Sequence, residues 1–254
     1  MTDASELSGM GNATRGAAYD KAATAHGGLN KASDSLLDQL VVPAVFSILG
    51  HIAGHHILDL ACGTGHLARR LAEHGAQITA IDISNEMLKV ARSREVQEPR
   101  GIIYHFSDSS DLSMIEDTTF DEVVCHMALM DIENLPGTVA EVARVVQLGG
   151  RFIFSISHPC FVAAITDDAE ADPRGETVYY EEGPQFIAYP GGRQCWKVHR
   201  TLATYINAVA ARGFTIRRVS EPRASDEAIA KNPGLERYRF CPVALIVEAV
   251  FPHV

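Results

Sequence analysis

The 254-residue chain has one tryptophan and only five cysteines, at 62, 125, 160, 195 and 241, with no Cys-x-x-Cys pair. An odd, scattered set of thiols builds neither a disulfide framework nor a zinc ribbon, and fits reduced thiols in a cytoplasm. Long hydrophobic runs are missing too. Val41 to Leu49 is interrupted by Pro43 and Ser47 and falls well short of a membrane span. The stretch from Met1 to Glu6 lacks the basic region and apolar core of a secretory leader, so Asn12-Ala13-Thr14 reads as a chance glycosylation sequon. Positive charge is scarce: 22 Lys and Arg face 32 Asp and Glu, a formal charge of −10. That balance disfavours nucleic acid and anionic membranes as partners. No internal repeat and no low-complexity tract occurs.

What remains is 46% hydrophobic and 21% charged, the composition of a soluble globular chain with a sizeable core. Its centre is His56-Ile57-Leu58-Asp59-Leu60-Ala61-Cys62-Gly63-Thr64-Gly65-His66-Leu67-Ala68. A short apolar run ends in an acid, passes a glycine-rich turn and opens a helix that stops at Gly75. Strand, loop and helix in that order hold a nucleotide-like cofactor at the edge of an α/β sheet. Gly63 and Gly65 permit a tight turn that a ligand can approach closely.

Around this unit the chain alternates. Apolar positions from Ser33 to Leu49 follow helical spacing, with Pro43 expected to kink or divide the helix. Strands are expected near 56–60, 77–81, 102–106, 121–126 and 151–156, with a helix from Asn85 capped by Ser84 and another over 136–146. Gly149-Gly150 is expected to break that last helix before strand five. A helix near 202–212, a stop at Gly213, and strands near 214–219 and 243–250 follow. This rhythm predicts a Rossmann-like, doubly wound, mostly parallel sheet with helices on both faces. Residues 1–54 are expected to form an N-terminal helical cap and residues 55–254 the core. Residues 1–30, rich in small residues, read either as a frayed tail or as a lid over an occupied site. The aperiodic stretch 157–198 is too long for a connector and reads as a substrate-binding insertion.

Gly63-x-Gly65-x-x-Ala68 also matches the dinucleotide fingerprint, which keeps an NAD(P)-dependent oxidoreductase as the rival. Asp59, at the end of strand one, is unwelcome beside a pyrophosphate and welcome beside a sulfonium or ammonium. Asp82 ends strand two, placed to accept ribose hydroxyls, and Asp108 follows strand three, placed to accept an adenine amino proton. No Tyr-x-x-x-Lys pair occurs. The balance favours S-adenosylmethionine, with S-adenosylhomocysteine as product and no metal.

With these motifs in place, the chain resembles class I S-adenosylmethionine-dependent methyltransferases of the small-molecule type. Leu58 to Gly65 matches motif I, Ala80 to Leu88 the acidic end of strand two, and Asp108 to Leu112 the adenine-side motif. Phe120 to Val124 and Leu148 to Phe152 match as well. The resemblance covers roughly residues 55–157 and implies a seven-stranded sheet whose last strand is antiparallel. Carried over by position, it implies that Asp59, Ala61, Gly63 and Gly65 hold the methionine end and Asp82 the ribose. Ile83 and Met87 pack near the adenine, Asp108 and Ser109 meet its edge, and Cys125 completes the cofactor set.

Methyl transfer is an in-line displacement, and a base is needed only when the acceptor must lose a proton. His126 ends strand four, where many relatives carry Asn, and His158 follows strand five; both are candidate bases or structural histidines. Tyr19, Met127, Met130, Phe161, Tyr179, Trp196 and His199 are candidate walls for a small aromatic acceptor, or else members of a satellite core. His51, His55 and His56 lack a nearby carboxylate and read as a linker rather than a metal site. A protein or nucleic-acid acceptor is the rival within the same chemistry, although strand four is not followed by an Asp-Pro-Pro-Tyr motif. The turn Ser157 to Phe161 and the helix start His199 to Leu202 are similar to actinobacterial methyltransferases of secondary metabolism, which implies O-, N- or C-methylation, indole carbon included. A cytoplasmic monomer or homodimer is expected, without nucleic acid or membrane.

Overall fold

Apolar runs that alternate with amphipathic helices assemble here around one large sheet. The computed structural model describes residue 20 and residues 36–164, 179–189 and 193–253. The strands run in chain order as β1 (His56–Leu60), β2 (Gln77–Asp82), β3 (Ile103–Phe106), β4 (Phe120–His126), β5 (Val146–Ser157), β6 (Gly183–Tyr189), β7 (Arg193–His199), β8 (Thr215–Ser220) and β9 (Ala244–Val250). The helices are α1 (Leu36–Leu49), α2 (His66–Glu73), α3 (Asn85–Gln97), α4 (Leu135–Val145), α5 (Leu202–Ala210) and α6 (Asp226–Lys231), with 3-10 segments at Pro159–Ala164 and Pro233–Arg239. Seven strands form one sheet in the order β3-β2-β1-β4-β5-β9-β8. β1 to β5 pair in parallel, and β9 runs antiparallel to both β5 and β8. The doubly wound sheet, including its antiparallel final strand, agrees with the sequence expectation.

The two-residue side-chain period of β1 divides the core. Ile57 joins one apolar layer with Leu67, Leu71 and Leu88 of α2 and α3, while Leu58 and Leu60 join the other with Val139, Val142 and Val209 of α4 and α5. Helices therefore cover both faces, as a mostly parallel sheet requires. After β3 the chain crosses back past β1 to place β4 on its other side. That reversal opens a crevice at the carboxyl ends of β1 and β4.

Three expectations change. α1 is not divided at Pro43 but continues through it as one helix. Gln39 and Pro43 are both exposed, so the carbonyl that the proline ring displaces lies on the solvent side. Gly149-Gly150 does not end a helix: α4 stops at Val145, and Val146 already pairs with Phe120. The glycines instead carry a kink inside β5, with Gly149 at φ 77° donating to the Phe251 carbonyl. The late part of the insertion is an antiparallel hairpin, β6 with β7, whose Val198 N–H binds the Met130 carbonyl at 2.8 Å. No helix among the described residues is long and apolar enough to cross a membrane.

Candidate functional site

β1 hands the chain to a turn in which Ala61, Gly63 and Gly65 all have positive φ, at 59°, 55° and 73°. Gly65 has a second constraint, since a Cβ there would lie 2.5 Å from the Tyr104 hydroxyl oxygen. Helix α2 starts at that glycine with no side-chain cap of its own. Asp59 supplies one from β1, accepting the Ala68 N–H. Its other oxygen, Oδ2, is buried without a partner. Burial first, and then the charge of Asp82, push the Asp59 carboxyl up to about 7.

Asp82 closes β2. It accepts the Gly63 N–H at 2.7 Å and the Ser84 N–H at 2.8 Å, while burial raises its pKa. Ser84 caps α3 by accepting the Met87 N–H, and its hydroxyl donates to Asp20 at 2.6 Å. Asp20 also accepts the Glu86 N–H, so one residue of the N-terminal stretch sits on the first turn of α3. After β3, Asp108 accepts from the Ser110 backbone and hydroxyl, both at 2.8 Å, and Ser109 shares a hydrogen bond with Thr138.

These turns enclose a cleft of about 280 Å³. Of the residues singled out in the sequence, Ala61, Gly63, Asp82, Ile83, Met87, Asp108, Ser109, His126 and Met127 line it. Asp59, Gly65 and Cys125 do not. Asp59 and Cys125 are 1% and 0% exposed and lie behind the lining; burial pushes the Cys125 thiol well above its ordinary range. The sequence reading missed Ser107, Ala128 and the run Asp131, Ile132, Glu133 and Asn134, which complete the wall. That run is held from outside. Arg200, 7% exposed, donates to the Ile132 and Glu133 carbonyls, each at 2.7 Å, and stacks over Tyr205. A buried arginine just before α5 was the available signal, and its partners, about 68 residues earlier, were not.

The two candidate bases separate. His126 lines the cleft, with Nδ1 2.9 Å from the Ser155 hydroxyl oxygen. His158 lies elsewhere, 3% exposed, with Nδ1 accepting the Cys160 N–H and Nε2 bonded to Glu221 at 2.7 Å. Since Nδ1 accepts, Nε2 carries the proton and donates, so both ring nitrogens are committed. Phe161 packs edge-on against that ring at 5.0 Å. Met130 and His199 line a separate small cavity with Lys197 and Arg200, and His199 binds the Tyr179 carbonyl. Tyr19 and the Trp196 side chain lie outside the described residues. Among the described residues, no three His, Cys, Asp or Glu side chains gather as a metal site.

The cleft suits a cationic ligand. A buried, unpartnered Asp59 oxygen beside a second carboxylate is completed by positive charge, whereas a pyrophosphate would add two more anions. S-adenosylmethionine carries a sulfonium and an ammonium, and Asp82 in the lining is a carboxylate of the kind that accepts hydroxyl protons.

Comparison with known proteins agrees. Residues 58–154 match the family model of a methyltransferase domain. A demethylmenaquinone methyltransferase of Tropheryma whipplei is 33% identical over 142 residues, 56% of this chain and 58% of the relative. A ubiquinone biosynthesis O-methyltransferase of Alkalilimnicola ehrlichii is 34% identical over 119 residues, 47% of this chain and 48% of the relative. The chain thus spans only about half of these relatives' lengths. A crystal structure of an S-adenosylmethionine-dependent methyltransferase from Mesorhizobium loti has a TM-score of 0.63 at 28% identity, covering 82% of this chain and 96% of that one. Sheet order and the charge of the cleft agree with that likeness: residues 58–154 are similar to a methyltransferase domain, and the fold is that of S-adenosylmethionine-dependent methyltransferases of known structure.

Proposed function

We propose that the chain transfers a methyl group from S-adenosylmethionine to a small aromatic acceptor, forming S-adenosylhomocysteine. The observation that carries this reading is the ordered acidic edge of one cleft: Asp82 and Asp108 in the lining, with Asp59 and its unpartnered Oδ2 behind it. In it the Ala61–Gly65 turn holds the methionine end, with Asp59 supplying negative charge from behind the lining, and Asp82 holds the ribose. Ile83 and Met87 pack against the adenine, and Asp108 with Ser109 meets its edge. When bound, the cofactor supplies an electrophilic methyl carbon. The protein aligns an acceptor with that carbon and keeps water out.

Acceptor contacts fall to His126, Met127 and the loop beyond, at the ends of β4 and β5. Two relatives bear names of quinone methylation, which supports an aromatic ring as acceptor, with O-methylation the first chemistry to test. The acidic balance speaks for a small molecule over nucleic acid, and the scattered cysteines for a cytoplasmic setting. The similarity to enzymes of secondary metabolism places phenols, amines and indoles in the panel. The test incubates purified protein with S-adenosylmethionine and these acceptors, reading the mass shift and position of the new methyl. No product from the panel, with tight S-adenosylhomocysteine binding, would turn the search to protein acceptors.

A further inference from the structure

His126 and Ser155 face each other across β4 and β5, as paired residues of the parallel ladder. Ser155 is 1% exposed, so its hydroxyl is removed from bulk solvent. Its oxygen accepts the Met127 N–H at 2.9 Å, a bond shared with the Ser155 carbonyl, and lies 2.9 Å from His126 Nδ1. Met127 makes that bond from a left-handed backbone, φ 51°, which β4 adopts as it leaves the sheet. Among the described residues, His126 Nδ1 is the one acceptor within hydrogen-bond reach of the Ser155 hydroxyl proton.

Two proton arrangements satisfy the distance. In the first, Nδ1–H donates to the serine oxygen, and a buried hydroxyl proton is left without an acceptor. In the second, the hydroxyl donates to Nδ1, and every group is satisfied. Buried donors are satisfied donors, so the second arrangement prevails. A neutral imidazole with a lone pair at Nδ1 carries its proton at Nε2.

We propose that Ser155 is a positioning residue that fixes His126 in its Nε2-protonated form, so that His126 meets the methyl acceptor as a hydrogen-bond donor and not as a base. This rests on the methyl-transfer reading and deepens it. A nitrogen that already holds a proton takes none from the acceptor. The acceptor therefore offers His126 a hydrogen-bond-accepting oxygen, such as a phenolate, a ring carbonyl or a methoxy neighbour of the reacting atom. In the base reading, His126 would instead receive a hydroxyl proton at Nε2. The two readings differ in where one proton sits.

That proton is visible without any substrate. Long-range proton–nitrogen NMR of 15N-labelled protein at about pH 8.5, where an ordinary imidazole is neutral, reports the tautomer of each histidine. His126, assigned by its loss in His126→Gln, is expected to show a bare Nδ1 and a protonated Nε2. Ser155→Ala is expected to shift that pattern toward a mixture. Ser155→Thr, which keeps the hydroxyl, retains the wild-type pattern and guards against a merely structural effect. A protonated Nδ1 in the wild-type protein, or an unchanged pattern in Ser155→Ala, overturns the proposal. With the acceptor found in the panel above, His126→Gln keeps a donor in place of Nε2 and retains at least about tenfold more kcat than His126→Ala. Under a base role, both would lose about a hundredfold or more alike; that result also overturns it. Failure of every acceptor, with the NMR pattern as expected, would count against the methyl-acceptor reading and leave the proton assignment standing.

Discussion

Gly63 donates its backbone N–H to the Asp82 carboxylate at 2.7 Å, tying the turn after β1 to the end of β2. The bond fixes the distance between two sides of the cleft. In the function proposed above it sets Asp82 a double task, because the carboxylate that holds the turn is also the one offered to the ribose.

Asp82→Ala should therefore do more than remove one ligand contact. The Gly63 and Ser84 N–H groups lose their acceptor together, and the turn loses its tether. Hydrogen bonds to a charged group contribute about 1.5–3 kcal/mol each, so S-adenosylhomocysteine affinity is expected to fall by about a hundredfold or more. Asp82→Asn keeps one carbonyl acceptor and should fall between. Calorimetry decides, and unchanged affinity in Asp82→Ala removes this residue from the cofactor site.

Asp59 gives the ligand-free protein a pH signature. Its carboxyl titrates at about 7 in the fold against an ordinary value of 3.8. A raised carboxyl favours the fold while protonated. That contribution is whole below about pH 4 and is lost as pH rises through 7, a span worth roughly 4 kcal/mol. Asp59→Asn keeps an acceptor for the Ala68 N–H and has no charge to bury. Urea unfolding across pH should show the wild type losing about that much relative to the variant between pH 4 and 8. Parallel profiles would mean that Asp59 is not ionising in a dry site. The same variant should bind S-adenosylmethionine more weakly, since the cation loses its counter-charge.

The acids at the strand ends were legible because each follows a short apolar run, and the strand period tells where such a run ends. Ser84 was legible as a cap for the same local reason, being a small hydroxyl residue one place before a helix. The parts that stayed hidden depend on partners distant in sequence. Ser155 is one of two serines in an apolar strand, and its meaning comes from His126 in the neighbouring strand. The β6–β7 hairpin carries no clean alternation, and its tie to the loop after β4, from the Val198 N–H to the Met130 carbonyl, joins residues 68 apart in sequence. The carboxylate of Asp59 is legible in the motif, but its place behind the lining follows from the burial of β1, which the motif does not encode.

Gly65 and Tyr104 form a pair that mutation can separate. Gly65→Ala places a methyl in a left-handed turn and against the Tyr104 hydroxyl, so a loss of about 1–3 kcal/mol is expected. The Tyr104 hydroxyl is itself buried without a partner. Tyr104→Phe should therefore leave stability unchanged or raise it by up to about 1 kcal/mol, because it removes an unsatisfied group. Combining the two should cost less than the sum of the singles. Additive effects in a denaturant cycle would show that the hydroxyl does not press on the turn.

Arg200 offers the last separation, between holding the cleft wall and forming the core. Its guanidinium reaches the carbonyls of Ile132 and Glu133, and its carbon stem lies against the Tyr205 ring. Arg200→Met keeps most of the stem and removes every donor, leaving both carbonyls to find water. Stability is expected to fall by about 2–3 kcal/mol, the cost of two charge-assisted bonds weighed against partial rehydration. The local effect is the sharper one. Hydrogen exchange should quicken over residues 129–134 while β1 and β2 keep their protection, since their ladders touch neither Arg200 nor its loop. Because the same loop lines the cleft, acceptor KM should rise more than kcat falls. Arg200→Lys should recover little, for one ammonium cannot copy a planar fork aimed at two carbonyls. Unchanged exchange in the loop would mean that backbone packing alone holds the wall, with the arginine merely resting on it.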